Sequence, residues 1–173
     1  MTLNRMSIWW ITASERSEGG WHWNNFFAYK GGSHGWGGKD WIKSTSSHRC
    51  IRRMKKGDIL VAYQTKQGLL GMVTLNSNGY QENTGDPFNM FDISSSPRLM
   101  FKQEIPLRAI QLLPHSKPNF GFLNSPMGTA FEVHQKGFDR LLGLVLAYNP
   151  TQAKQLAAFL RKTRAKVPYR LSR

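Results

Sequence analysis

The chain has 173 residues, with 24 Lys plus Arg against 10 Asp plus Glu and a formal net charge of +14. That length fits one domain able to bury a core without covalent staples. A single cysteine, Cys50, excludes an internal disulfide and a CxxC zinc pair, which reads as a reduced, cytoplasmic protein. In chain order, Ile8 to Thr12 is a short β-branched and aromatic run that predicts a first strand, followed by turn residues through Gly20. The run is too short for a signal-peptide core or for the roughly 18 residues of a membrane span.

From Gly19 to Gly38 seven glycines alternate with Trp21, Trp23, Phe26, Phe27, Tyr29 and Trp36. This composition predicts a binding loop that exposes large rings, although buried aromatics more often mean core. The hydroxyls of Ser44 to Ser47 then offer N-caps to a short helix around His48 to Met54, ended by Lys55-Lys56-Gly57. Asp58 to Tyr63 and Leu69 to Leu75 read as a hairpin, and Asn76 to Pro97 as a long loop with one short strand.

Leu99 to Ile105 alternates as a strand, and Pro106 is expected to start a turn of helix through Leu113. Pro114 to Met127 reads as a loop carrying Phe120 and Phe122, and Gly137 to Leu146 as a buried helix. Asn149 as N-cap, Pro150 at N1 and Gln152 at N3 open a final amphipathic helix with Ala153, Leu156, Ala157 and Leu160 on one face. Residues 1–161 form the expected domain, and Lys162 to Arg173 a basic, partly disordered tail.

The charge is concentrated. Lys43, Arg49, Arg52, Arg53, Lys55 and Lys56 lie between Trp41 and Gly57 with no acid among them. The stretch from Arg161 to Arg173 holds six more cations and no acid, so the two segments carry half of all the basic residues. Cations neutralise phosphates without reading sequence, whereas aromatic rings stack on exposed bases. A basic helix directly after Trp41 and the aromatic loop therefore points to nucleic acid rather than to a membrane surface, for which the helix carries too little bulk.

Other chemistries fail on spacing. The stretch 32–40 is not a phosphate loop, because Ser33 stands at the first glycine's place and Asp40 at the Ser/Thr place. His22, His34 and Asp40 lack metal-ligand spacing, and the two histidines read as hydrogen-bonding surface residues. His48 and Cys50 point to different faces of a helix, so Cys50 reads as a buried thiol. The scattered acids offer no general acid and base pair, and no cofactor site is legible.

The Trp-rich first strand, Trp41-Ile42-Lys43-Ser44, the basic helix, Met54-Lys55-Lys56-Gly57-Asp58 and the following hairpin together resemble the EVE domain of the PUA-like superfamily. Phe101 to Leu107 and Phe131-Glu132-Val133 agree with that pattern, and the resemblance spans roughly residues 7 to 147. It implies an α+β fold, a twisted β-barrel of five to six strands flanked by helices, with a pocket that takes one modified nucleobase in an aromatic cage. Trp41 matches a cage wall. Trp21 or Trp23, with Phe88 or Phe91, are candidates for the other walls, and Ser14 and Ser44 for edge contacts. Where relatives carry Lys-Ser-Glu-Pro after the first strand, this chain has Thr12, Ala13, Ser14 and Glu15. The expected partner is nucleic acid with a modified base, bound by a monomer that works alone or with a nuclease. The alternatives are an ASCH-like enzyme built on Lys43 with Glu15 or Glu132, and a non-specific RNA-binding accessory protein.

Overall fold

The computed structural model describes residues 6–15, 22–28, 35–36, 46–79, 91–92, 97–124 and 130–163, with backbone alone at 35–36, 46–49 and 91–92. The elements run β1 (Ile8–Ala13), α1 (Trp23–Ala28), β2 (Gly35–Trp36), α2 (Ser46–Arg53), β3 (Ile59–Gln64), β4 (Gly68–Thr74), β5 (Phe91–Asp92) and β6 (Arg98–Ile105). They continue with α3 (Leu107–Gln111), α4 (Ser116–Asn119), β7 (Ala130–Val133), α5 (Gln135–Tyr148) and α6 (Ala153–Lys162). Five strands make one mixed sheet in the order β6-β4-β3-β1-β7, and β2 pairs with β5 in a separate two-stranded ribbon. The fold class is α+β, as expected.

Within the sheet β1 and β3 are parallel, from Ile8 against Ile59 to Ala13 against Gln64, and the other pairings are antiparallel. A parallel pair cannot be joined by a tight turn, so the connection must cross over the sheet. Both α1 and α2 belong to that crossover.

Strand alternation sorts the core into two layers. Trp9, Ile11 and Ala13 of β1, with Leu60, Ala62, Leu70 and Val73, pack on one face against Trp23 and Phe26 of α1 and Ile51 and Met54 at the end of α2. On the opposite face Ile8 and Trp10, with Ile59, Val61, Tyr63 and Met72, meet Ile110, Phe120, Phe138, Leu141, Val145, Leu156 and Phe159 from the remaining helices. Trp10 stacks on Phe122 at 4.8 Å and lies 4.9 Å from Tyr63. Burial in this layer pushes the Tyr63 phenol above its ordinary pKa. Two of the six tryptophans are thus committed to core on opposite faces of one strand.

Two stretches read as irregular contain helix. In the Gly19 to Gly38 segment α1 forms because Trp23, Phe26 and Phe27 stand at i, i+3 and i+4, a helical stripe that the surrounding glycines obscure. His22 is buried, not a surface residue: its carbonyl accepts from Asn25 N and its Nδ1 from Asn24 N, so it caps α1. The stretch after Pro114 folds into α4 and a 3-10 turn, Gly121–Leu123, which bury Phe120 and Phe122. Pro106 precedes α3 as its cap residue with extended backbone, one position earlier than expected.

The last helix also starts differently. A 3-10 turn, Pro150–Gln152, leads into α6, and neither Asn149 nor Gln152 caps it through its side chain. Both amides turn to the outer edge of β6. Asn149 Oδ1 accepts from Gln103 N at 2.7 Å and Asn149 Nδ2 donates to Gln103 O, while Gln152 Oε1 accepts from Lys102 N at 2.8 Å and Gln152 Nε2 donates to Met100 O. Two side-chain amides thereby fill the hydrogen-bonding positions that a sixth strand would occupy.

Candidate nucleic-acid interface

The end of α2 and the turn behind it are organised by one carboxylate. Asp58, 3% exposed, accepts from Ser7 N at 2.9 Å, Trp9 Nε1 at 2.8 Å and Lys55 N at 2.9 Å. It therefore ties the start of β1 to the turn between α2 and β3. Gly57 makes that turn possible with φ of +93°, a region open to glycine and costly for other residues. Met54 beside it is fully buried. The Met-Lys-Lys-Gly-Asp motif is thus an anchor that sets the direction of the basic helix.

A second brace comes from the loop after β4. Gly79 N donates to Met54 O at 3.0 Å and Lys56 N to Asn78 Oδ1 at 3.0 Å. A side chain at Gly79 would run into the Ile51 carbonyl oxygen, so only glycine allows the loop to lie so close to α2.

With Ile51 and Met54 facing inward, Arg52, Arg53, Lys55 and Lys56 are all exposed. Arg53 donates to Glu132 Oε2 at 2.9 Å and its guanidinium lies 5.5 Å from the Trp9 ring centroid. Both ends of the ion pair remain open to solvent, at 61% and 38% exposure, so this pair orients Arg53 more than it stabilises the fold. Glu132 was not among the expected phosphate-site residues, because its position across from α2 depends on β7 pairing with β1.

On the same face of the sheet, α1 is held at three points. Trp23 N donates to Gln64 Oε1, Trp23 Nε1 to Ile11 O, and Arg98 Nη1 to Phe26 O at 2.9 Å with the Arg98 guanidinium 4.6 Å over the Phe26 ring. Trp23, a candidate cage wall, is fully buried and flanked by Phe26 and Phe27, and in this position it is a core ring. Nearby, Ser14 is half-buried at the end of β1, where Thr65 N and Oγ1 donate to Ala13 O.

The ribbon adds one juxtaposition. Trp36 pairs with Phe91 and Gly35 with Asp92, so the aromatic segment before α2 and the loop after β4 meet residue against residue. Trp21, Trp41, Lys43, Ser44 and Phe88 lie outside the described residues, and Arg49 is described by backbone alone within α2. Cys50 is half-buried against the layer formed by Trp9 and Ile51 rather than enclosed. Among the described residues no helix is long and apolar enough to cross a membrane.

No protein-family model matches the chain, and no curated protein sequence matches it. Solved structures do. The DUF55 domain of human thymocyte nuclear protein 1 superposes with a TM-score of 0.63 at 18% identity, covering 80% of this chain and 98% of that one. Human THYN1 solved in complex with 5-methylcytosine-containing DNA gives 0.61 at 17% identity, covering 80% and 97%. A Rhodopseudomonas palustris protein solved by NMR gives 0.62 at 17% identity, covering 84% and 94%. The chain therefore shares the fold of these domains.

Proposed function

We propose that this chain is a nucleic-acid-binding module of the EVE type that reads a modified nucleobase in DNA or RNA and has no catalytic role of its own. The observation that carries the reading is the placement of the exposed cations of α2 and its turn on the same sheet face as the aromatic helix α1, within one crossover. The likeness to a THYN1 structure holding 5-methylcytosine DNA supports it.

In this reading Arg52, Arg53, Lys55 and Lys56, with Lys43 and Arg49, neutralise phosphates, while Trp41 forms a wall of the base pocket. Trp21, Phe88 and Phe91 remain candidates for the facing wall, and Ser14 and Ser44 for contacts to the base edge. Extruding a base costs a few kcal/mol, and ring stacking at about 1 to 3 kcal/mol per base, added to phosphate neutralisation, offsets it. The partner is a strand carrying the modified base, bound by a monomer in the cytoplasm without a membrane surface, and a nuclease is a partner class compatible with a reader. The ASCH-like alternative requires Lys43 to gather Glu15 or Glu132. Glu132 instead accepts from Arg53, which favours the reader.

The test is a binding screen against methylated, hydroxymethylated and unmodified single- and double-stranded DNA and RNA at fixed salt. One modified strand should bind more tightly than its plain counterpart, and Trp41→Ala should abolish that preference. Equal affinity for every modified and plain pair would refute base reading and leave non-specific binding.

A further inference from the structure

A second cationic surface lies away from α2, at the opposite edge of the sheet. There β6 and α6 enclose an open groove of about 460 Å³ whose lining includes Arg98, Met100, Lys102, Gln155, Ala158 and Lys162. Three cations and no acid line it. Its shape follows from the fold. Asn149 and Gln152 occupy the hydrogen-bonding edge of β6 and hold the start of α6 against it, and small Ala158, between Gln155 and Lys162 on the helix, leaves the floor open.

The groove is wide and charged, so it suits an extended polyanion better than an enclosed small molecule. Met100 is 49% exposed between the two β6 cations, an unusual place for a large apolar side chain in a polar groove. Its flexible thioether offers a surface for the face of an unstacked base. Arg98 is shared: it lines the groove and also holds α1 through Phe26. Arg98 therefore connects the groove with α1.

We infer that the β6–α6 groove is a second nucleic-acid contact, in which Lys102 and Lys162 take backbone phosphates of a single-stranded segment leaving the base-reading face and Met100 packs against one of its bases. The inference rests on the proposed nucleic-acid function but not on recognition of a modified base. It assigns the groove affinity without discrimination, because phosphate contacts carry no sequence information.

The test measures binding of the full chain to a single-stranded 20-mer, plain and modified, across a range of salt. The double variant Lys102→Gln, Lys162→Gln should weaken both strands by about tenfold near 0.1 M salt and lower the slope of log affinity against log salt by about 1.4, the value for two phosphates on a single strand. Ala158→Glu, which puts a carboxylate on the groove floor, should weaken both strands in the same way, and thermal melts would confirm that each variant folds. Unchanged affinity and slope in both variants would overturn the groove. So would a loss of modified-over-plain preference with the slope intact, since that would place the residues at the base pocket. A parent chain that shows the salt effect but no preference would sustain the groove and refute base reading, and a parent that binds no strand would overturn both.

Discussion

Asp58 shows how much of this architecture depends on a single side chain. Its buried carboxylate receives two backbone N–H groups and an indole N–H from three different positions, all within 2.9 Å. Asp58→Ala would leave those donors without a partner, at about 1 to 3 kcal/mol for each buried group left unsatisfied. Urea unfolding should therefore show a loss of at least about 2 kcal/mol, and the released end of α2 should weaken nucleic-acid binding in parallel. Asp58→Asn keeps an acceptor and should fall between parent and alanine. The sequence made Asp58 visible through its place in the Met-Lys-Lys-Gly-Asp motif, but its partners Ser7 and Trp9 lie some fifty positions away and come into reach only when β1 pairs with β3.

At the scale of elements, the helix α6 and its start illustrate a side chain with two possible uses. Asn and Gln ahead of a helix are ordinary capping residues, and the chain order Asn149, Pro150, Gln152 fits that role. In the fold the unpaired edge of β6 competes for the same amides and takes them, because four backbone groups on that edge have no strand to pair with. The double change Asn149→Ala, Gln152→Ala should cost more than a lost cap, about 2 to 4 kcal/mol from the four hydrogen bonds removed. It should also open a strand edge to pairing with other molecules, read as concentration-dependent oligomers in light scattering. Changing Pro150 or Thr151 instead should leave the oligomeric state as it is.

Helix α1 carries the complementary lesson. Its stripe of Trp23, Phe26 and Phe27 was present in the sequence, but seven glycines in the same segment argued for a loop, and periodicity over six residues is too short to outweigh composition. Strands β1, β3, β4 and β6 and the long helix α5 needed no such arbitration, since their apolar patterns run long enough to identify them.

For the molecule as a whole, net charge governs behaviour more than any one contact. With +14 on 173 residues, association with nucleic acid should depend steeply on salt. Arg52→Ala with Arg53→Ala should weaken modified and plain strands equally and flatten that dependence. Loss of the exposed Arg53–Glu132 pair should cost less than about 1 kcal/mol of stability, so the variant can be compared at equal folding. A change in discrimination on this substitution would move the base pocket onto α2 itself.

The family resemblance supplied the α+β class; read from the chain alone, the early hairpin, the last two helices and the two concentrations of positive charge were determined. Each rests on local pattern, and local pattern survives without knowledge of partners. Which rings are core and which are exposed was decided only by tertiary structure. Trp9 and Trp10 are adjacent, yet the strand's alternation sends them to opposite layers, and Trp23 joins the first of these because the parallel pairing of β1 and β3 forces its helix across that face. The same crossover placed the aromatic helix and the basic one on one sheet face, and the edge pairing of β6 created a cationic groove from residues far apart in sequence. Charge and aromatic content point to the proposed nucleic-acid surface; where its parts meet depends on long-range pairing, which no local spacing encodes.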